Sequence, residues 1–96
     1  MTKDQLLTFL SLHKHYFERE YGVLKLGVFG SYAKDQAREN SDIDIAVELK
    51  KEHKFKNFFS LQSYLEDHLH KKIDLGIESA LKSPIREAVR NEIIYV

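Results

Sequence analysis

The segment from Asp42 to Leu49 constrains the fold of this chain more than any other feature, because its side chains alternate strictly in character. Period-two alternation is typical of a β-strand that buries one face and leaves the other uncovered. The apolar positions are Ile43, Ile45 and Val47. The positions between them are acidic or small, namely Asp42, Asp44 and Ala46. The sequence therefore predicts a strand that carries two carboxylates on its uncovered face.

Helix and strand patterns alternate along the rest of the chain. Thr2 and Gln5 have the spacing of a capping box, which predicts a first helix that ends at Gly22. The remaining predicted elements are a strand from Val23 to Gly30, a short helical turn from Ser31 to Ala37, a helix from Phe55 to Leu69, a strand from Lys72 to Ile77, a helix capped by Ser83 with Pro84 at its first position and reaching Glu92, and a final strand from Ile93 to Val96. This order predicts a single α/β domain over residues 1–96, with a small mixed sheet, helices on one face and the acidic site on the other.

Three further predictions concern a phenylalanine stripe, a lysine-rich stretch and the paired histidines. Phe55, Phe58 and Phe59 form an apolar stripe, which predicts core packing against the sheet rather than a cofactor pocket. The lysine-rich stretch from Lys50 to Lys56 is predicted to be a solvated loop. Two His-x-His pairs occur, His13 with His15 and His68 with His70. In a helix this spacing separates the two side chains by about 200°, so neither pair is expected to chelate a metal ion.

The composition argues against several classes of protein. Fifteen Lys and Arg balance fifteen Asp and Glu, so the basic excess of a dedicated nucleic-acid binder is missing and nucleic acid is not the expected partner. The absence of cysteine excludes disulfides, thiolate catalysis and cysteine-based zinc sites, and it fits the cytoplasmic location that we expect. The apolar stretch near the N-terminus is broken at Thr8, so neither a signal peptide nor a membrane span is predicted.

Three carboxylates are predicted to meet on the uncovered face of the sheet. Asp42 and Asp44, two residues apart on a strand, project from the same side at a separation of about 6–7 Å. Asp74 lies on the next strand, on the face opposite the apolar Ile73 and Leu75. Uncompensated carboxylates at this distance repel one another, and oxygen-only ligands suit Mg²⁺ or Mn²⁺. We therefore expect a hard divalent cation at Asp42, Asp44 and Asp74.

Gly30 and Ser31 lie between a predicted strand and a helical turn. Backbone N–H groups at such a junction can receive phosphate oxygens, and glycine permits their close approach. A triphosphate bound there would place its phosphates beside the three aspartates, where two metal ions about 3.5–4 Å apart could clamp the attacking and leaving oxygens. The reaction implied by this arrangement is nucleotidyl transfer.

These residues resemble the minimal nucleotidyltransferases of the DNA polymerase beta superfamily. The signature of that family is Gly-Ser, ten residues and Asp-x-Asp, and here Gly30-Ser31 is followed after ten residues by Asp42-Ile43-Asp44. The stretches GVFGSYAKDQARENSDIDIAVEL, KKIDLGI and LKSPIREAVRNEIIYV are also similar to the family. The resemblance implies a polymerase beta-like palm fold, metal binding by Asp42 and Asp44, and Asp74 as a third ligand or as the base.

The resemblance also implies the nucleotide contacts, which are Gly30, Ser31 and Lys34, with ATP as substrate. The family usually has Arg-Gly where this chain has Lys34-Asp35. Lys34 keeps a positive charge but lacks the bidentate fork of arginine for phosphate, and Asp35 adds a carboxylate in that region.

Many members of this family are antitoxins encoded beside a HEPN-domain ribonuclease, and some silence that toxin by attaching AMP to a tyrosine. The resemblance thus implies transfer of AMP from ATP to a hydroxyl group of a HEPN-type toxin. The alternative is a non-catalytic antitoxin that neutralises its partner by binding alone. Transfer to a small molecule is less favoured, because such enzymes carry an added domain for the acceptor.

Overall fold

The computed structural model describes residues 1–96 and alternates helices with strands. In chain order its elements are α1 (Lys3–Tyr21), β1 (Val23–Phe29), α2 (Gly30–Ala33), β2 (Ile43–Leu49), α3 (Lys54–Leu69), β3 (Ile73–Ile77), a 3₁₀ turn (Glu78–Ala80), α4 (Ile85–Glu92) and β4 (Ile94–Tyr95). This order confirms the predicted α/β alternation. No helix combines the length and the apolar character needed to span a bilayer.

The four strands form one mixed sheet in the order β3-β2-β1-β4. β1 runs antiparallel to both β2 and β4, whereas β2 and β3 are parallel. A parallel pair needs a crossover connection between its strands, and α3 supplies it. The mixed sheet confirms the predicted fold class.

Local sequence explains where α1 begins and ends. The Gln5 N–H donates to Thr2 Oγ1 at 3.1 Å, and the Thr2 N–H donates to Gln5 Oε1 at 2.8 Å. Two N–H groups that lack a partner within the helix are thus satisfied. Gly22 closes the helix with a φ of 65°, a left-handed conformation that glycine adopts without a steric penalty. The predicted capping box and stop are both confirmed.

The hydrophobic core lies between one face of the sheet and the helices α1 and α3. Its fully buried members include Leu6, Leu10 and Phe17 of α1, Leu61 and Leu65 of α3, and Leu26, Val28, Ile43, Ile45, Val47 and Ile73 of the sheet. The opposite face carries Asp44 and Asp74. The side chain of Ile93 covers this face at Gly27, where a Cβ atom would lie 2.7 Å from it.

The prediction that the phenylalanine stripe packs in the core was wrong for Phe55 and Phe59 and is confirmed for Phe58. Phe55 is 81% exposed and Phe59 is 61% exposed, whereas Phe58 is half-buried. The buried face of α3 is set by Leu61 and Leu65, which are four residues apart. At 100° per residue Phe58 shares this face, while Phe59 points about 200° away from Leu61.

Three predicted boundaries were also wrong. α3 begins at Lys54, so the solvated loop ends before Lys56. The helical turn after Gly30 ends at Ala33 instead of Ala37. Ser83 does not cap the last helix, because Pro84 occupies the cap position and no side chain bonds to the free N–H groups. The first turn of α4 is therefore held only by backbone hydrogen bonds.

Candidate active site

Asp44 and Asp74 lie side by side in the parallel ladder. The register pairs Asp44 of β2 with Asp74 of β3, and adjacent strands are about 4.8 Å apart. Both side chains point away from the core, because the alternate residues Ile43, Ile45 and Ile73 are buried on the other face. The fold therefore brings two carboxylates together on the face of the sheet opposite the core.

The surroundings of Asp44 disfavour its negative charge. Partial burial, followed by the nearby carboxylates of Asp74, Asp42 and Glu92, raises the pKa of Asp44 to about 6. No lysine or arginine forms an ion pair with Asp44 or Asp74. A cation bound between these carboxylates would relieve the repulsion, so the chemistry of the donors fits Mg²⁺ or Mn²⁺.

Asp42 contributes to the repulsion at Asp44, but its own side chain faces a lysine. It precedes β2, its side chain is exposed, and its Oδ2 lies 3.9 Å from Nζ of Lys72. No group of three histidine or acidic side chains is spaced to hold a metal ion. The structure thus assembles Asp44 and Asp74, while the three-ligand set that includes Asp42 stays a prediction.

Gly30 connects β1 to α2 in contact with the acidic pair. Its φ is 72°, in the left-handed region. A Cβ atom at this position would overlap Oδ2 of Asp44 and lie 2.9 Å from its Cγ. Because both the backbone angle and the space exclude a side chain, only glycine can bring the chain this close to Asp44.

Two donors at this turn contact Glu92, a residue that the sequence analysis did not single out. The Gly30 N–H donates to Glu92 Oε1 at 2.9 Å, and Lys34 Nζ lies 3.1 Å from Glu92 Oε2. The hydrogen bond from Gly30, followed by the contact with Lys34, lowers the pKa of Glu92. Glu92 is one of fifteen acidic residues in the chain and ends a polar helix, and only the fold reveals its proximity to Gly30.

The other predicted nucleotide contacts lie on or next to α2. Ser31 is half-buried in the first turn, and Lys34 is exposed immediately after the helix. α2 has four residues, so any contribution from its dipole is small. Asp35 adopts a φ of 59°, the conformation that the usual glycine of the family would adopt freely. Asp35 also lines a surface depression together with Lys3 at the start of α1.

Comparison of the sequence with known proteins gives close relatives. The family model described as polymerase beta, nucleotidyltransferase matches residues 13–96. The chain is 38% identical over 96 residues to the protein adenylyltransferase MntA of Thermococcus cleftensis, a match that covers 100% of this chain and 97% of that relative. It is also 38% identical to a protein of Methanocaldococcus jannaschii proposed to be a protein adenylyltransferase, over 99% of this chain and 98% of that protein.

Solved structures share the fold. One described as a proposed minimal nucleotidyltransferase superposes with a TM-score of 0.84 at 30% identity, covering 98% of this chain and 95% of that one. A crystal structure of a toxin–antitoxin with AMP-PNP superposes with a TM-score of 0.71 at 20% identity, covering 99% of this chain and 72% of that one. The second likeness, at its low identity, shows the fold alone.

These matches confirm the resemblance that rests on Gly30-Ser31 and on Asp42-Ile43-Asp44. The matched residues include the acidic pair and the Gly30 turn, and relatives of nearly the same length are named for adenylyl transfer. The chain therefore belongs to the polymerase beta nucleotidyltransferase family, among its minimal nucleotidyltransferases.

Proposed function

We propose that this chain transfers AMP from ATP to a tyrosine hydroxyl of a HEPN-type toxin and thereby acts as its antitoxin. The observation that carries the proposal is the pairing of Asp44 with Asp74 beside the Gly30 turn. The name of the Thermococcus relative, a protein adenylyltransferase, supports the same reaction. A structural neighbour that is a toxin–antitoxin with AMP-PNP supports both the nucleotide and the kind of partner.

The acidic residues would hold the metal. Asp44 and Asp74 supply adjacent carboxylates, and Asp42, two residues before Asp44, is the proposed third ligand. When bound, Mg²⁺ or Mn²⁺ would offset the charge of the triphosphate and of the oxygens that react. Asp74 is the more exposed carboxylate of the adjacent pair. Besides its role as a metal ligand, we assign it the role of accepting the tyrosine proton.

The donors around the turn would hold the phosphates. The Gly30 N–H, the Ser31 hydroxyl and the Lys34 ammonium are the groups assigned to this task. In the reaction the tyrosine oxygen forms a bond to the α-phosphorus, and the bond from that phosphorus to the bridging oxygen of the β-phosphate breaks. Pyrophosphate leaves, and the proton of the tyrosine passes to a carboxylate of the site.

The proposed activity is tested by label transfer. The chain is incubated with Mg²⁺, ATP labelled at the α-phosphate, and the toxin encoded beside its gene, and label on the toxin is measured after denaturing electrophoresis. We expect labelling by the wild type, and a loss of at least about a hundredfold in Asp44→Ala because the metal site is broken. Asp67→Asn, which removes an exposed acid of α3, is the matched control and should label normally.

An unlabelled toxin in a preparation with active ribonuclease would contradict the proposal. Omission of Mg²⁺ from the same reaction tests the metal requirement, and activity that persists in EDTA would remove the divalent cation from the mechanism.

A second candidate function is neutralisation by binding alone. It is favoured by the contact of Glu92 with Gly30 and Lys34, since these donors are engaged in the protein without a nucleotide. On this view a folded Asp44→Ala protein still protects cells from the toxin. If that variant binds the toxin but no longer protects, catalysis is required and the binding-only function is excluded.

A further inference from the structure

We propose that Glu92 sets the affinity of the site for ATP, because its carboxylate occupies two donors that a phosphate group of the nucleotide would use. ATP would then bind by displacing the Glu92 side chain. This inference rests on the proposed nucleotide site and adds to it a built-in competitor, at a residue outside the family signature of Gly30-Ser31 and Asp42-Ile43-Asp44.

The contacts of Glu92 are those expected of a bound anion. One carboxylate oxygen accepts from the Gly30 N–H at 2.9 Å, and the other lies 3.1 Å from Lys34 Nζ. A phosphate group likewise presents several anionic oxygens to backbone N–H groups and to lysine. The carboxylate and a phosphate therefore cannot use these two donors at the same time.

The backbone keeps Glu92 close to the turn. α4 ends at Glu92, and β4 begins two residues later, where Ile94 pairs with Val28 of β1. Gly30 follows β1 directly. Because the Glu92 carboxylate is part of the same chain, it competes with phosphate at a high effective concentration, which does not change with the protein concentration.

The contact of Glu92 with Lys34 is weak enough for ATP to displace it. The side chain of Lys34 is 52% exposed and that of Glu92 is 22% exposed, so water screens the ion pair and its contribution is small. The neighbouring Asp44 carboxylate repels that of Glu92, so it adds no stabilisation to the contact of Glu92 with Gly30 and Lys34. A triphosphate with several negative charges can therefore replace it, at the cost of part of its own binding energy.

Isothermal titration of Mg-ATP into four folded proteins tests the competition. Glu92→Gln loses the ion pair with Lys34 but can still accept from the Gly30 N–H, whereas Glu92→Ala loses both contacts. We expect ATP to bind roughly three- to tenfold more tightly to Glu92→Gln than to the wild type, and more tightly still to Glu92→Ala. Glu87→Gln removes an exposed acid from the same helix and should bind ATP as the wild type does.

The outcomes separate the two proposals. Equal or weaker binding by both Glu92 variants, with normal binding by the wild type, overturns the competition and leaves the nucleotide site intact. Equal tightening by Glu87→Gln would reduce the effect to net charge and would also overturn it. If none of the four proteins binds ATP in the presence of Mg²⁺, the proposed function fails and the competition fails with it.

Discussion

At the scale of single residues, the conformation of Gly30 and the position of the Asp44 side chain depend on each other. The left-handed backbone of Gly30 turns the chain back over β2, and the missing Cβ leaves the space that the Asp44 carboxylate occupies. The same glycine exposes an N–H group to an incoming anion, at present the carboxylate of Glu92. One residue type therefore meets a conformational, a steric and a hydrogen-bonding requirement at this position.

Gly30→Ala should accordingly be destabilising by about 2–3 kcal/mol, from the left-handed φ and from overlap with the carboxylate. It should also displace Asp44 and abolish label transfer. The matched control is Gly76→Ala, because a Cβ atom there meets only Leu81, at an ordinary 3.8 Å. Urea denaturation measures both variants, and a Gly30→Ala protein as stable as Gly76→Ala would contradict this account.

At the scale of elements, α3 connects the two acidic strands and supplies much of the core. Its crossover makes β2 and β3 parallel and so sets Asp44 beside Asp74. Its packing face carries Leu61 and Leu65, while the more bulky Phe55 faces solvent. The function of α3 in the fold therefore depends on the leucines.

Leu65→Ala should cost about 2–5 kcal/mol of stability, because it leaves a cavity under a fully buried position. Phe55→Ala should change the free energy of unfolding by less than about 0.5 kcal/mol, since most of that side chain is already in water. Thermal denaturation of the two variants gives the comparison. A larger loss for Phe55→Ala than for Leu65→Ala would show that the phenylalanine stripe is buried after all.

The sequence predicts those elements whose cause is local. The capping box at Thr2, the stop at Gly22 and the alternation after Asp42 depend on neighbouring residues, and the structure has all three. The stripe of α3 was misassigned because hydrophobic size does not reveal which side of a helix meets the sheet. The contact between Glu92 and Gly30 joins residues 62 positions apart, and no local pattern contains it.

At the scale of the whole molecule, a domain of 96 residues carries a repulsive acidic cluster with little stability to spare. Burial and the neighbouring carboxylates raise the pKa of Asp44 to about 6, above its usual value. An acid whose pKa is raised by folding binds protons more readily in the folded state, so its destabilising effect appears as the pH rises through 4 to 6 and is complete above that range.

Asp44→Asn should therefore melt a few degrees above the wild type at pH 7.5 in EDTA, because the substitution removes the repulsion without changing the shape of the side chain. The difference should shrink at pH 4.5, where Asp44 is protonated, and Mg²⁺ should stabilise the wild type and Asp67→Asn but not Asp44→Asn. Differential scanning calorimetry measures all three conditions, with Asp67→Asn as the control acid. A lower melting temperature for Asp44→Asn in EDTA would contradict the assigned repulsion.

The alternation of β2 has a consequence for errors in folding. If β2 paired with its neighbours one position out of step, Ile43 and Ile45 would enter the solvent and Asp44 would enter the core. Such a chain could not bury its acids and would not remain folded. A molecule that has packed its core has thereby also oriented its carboxylates, so preparations should contain few folded molecules with a scrambled site.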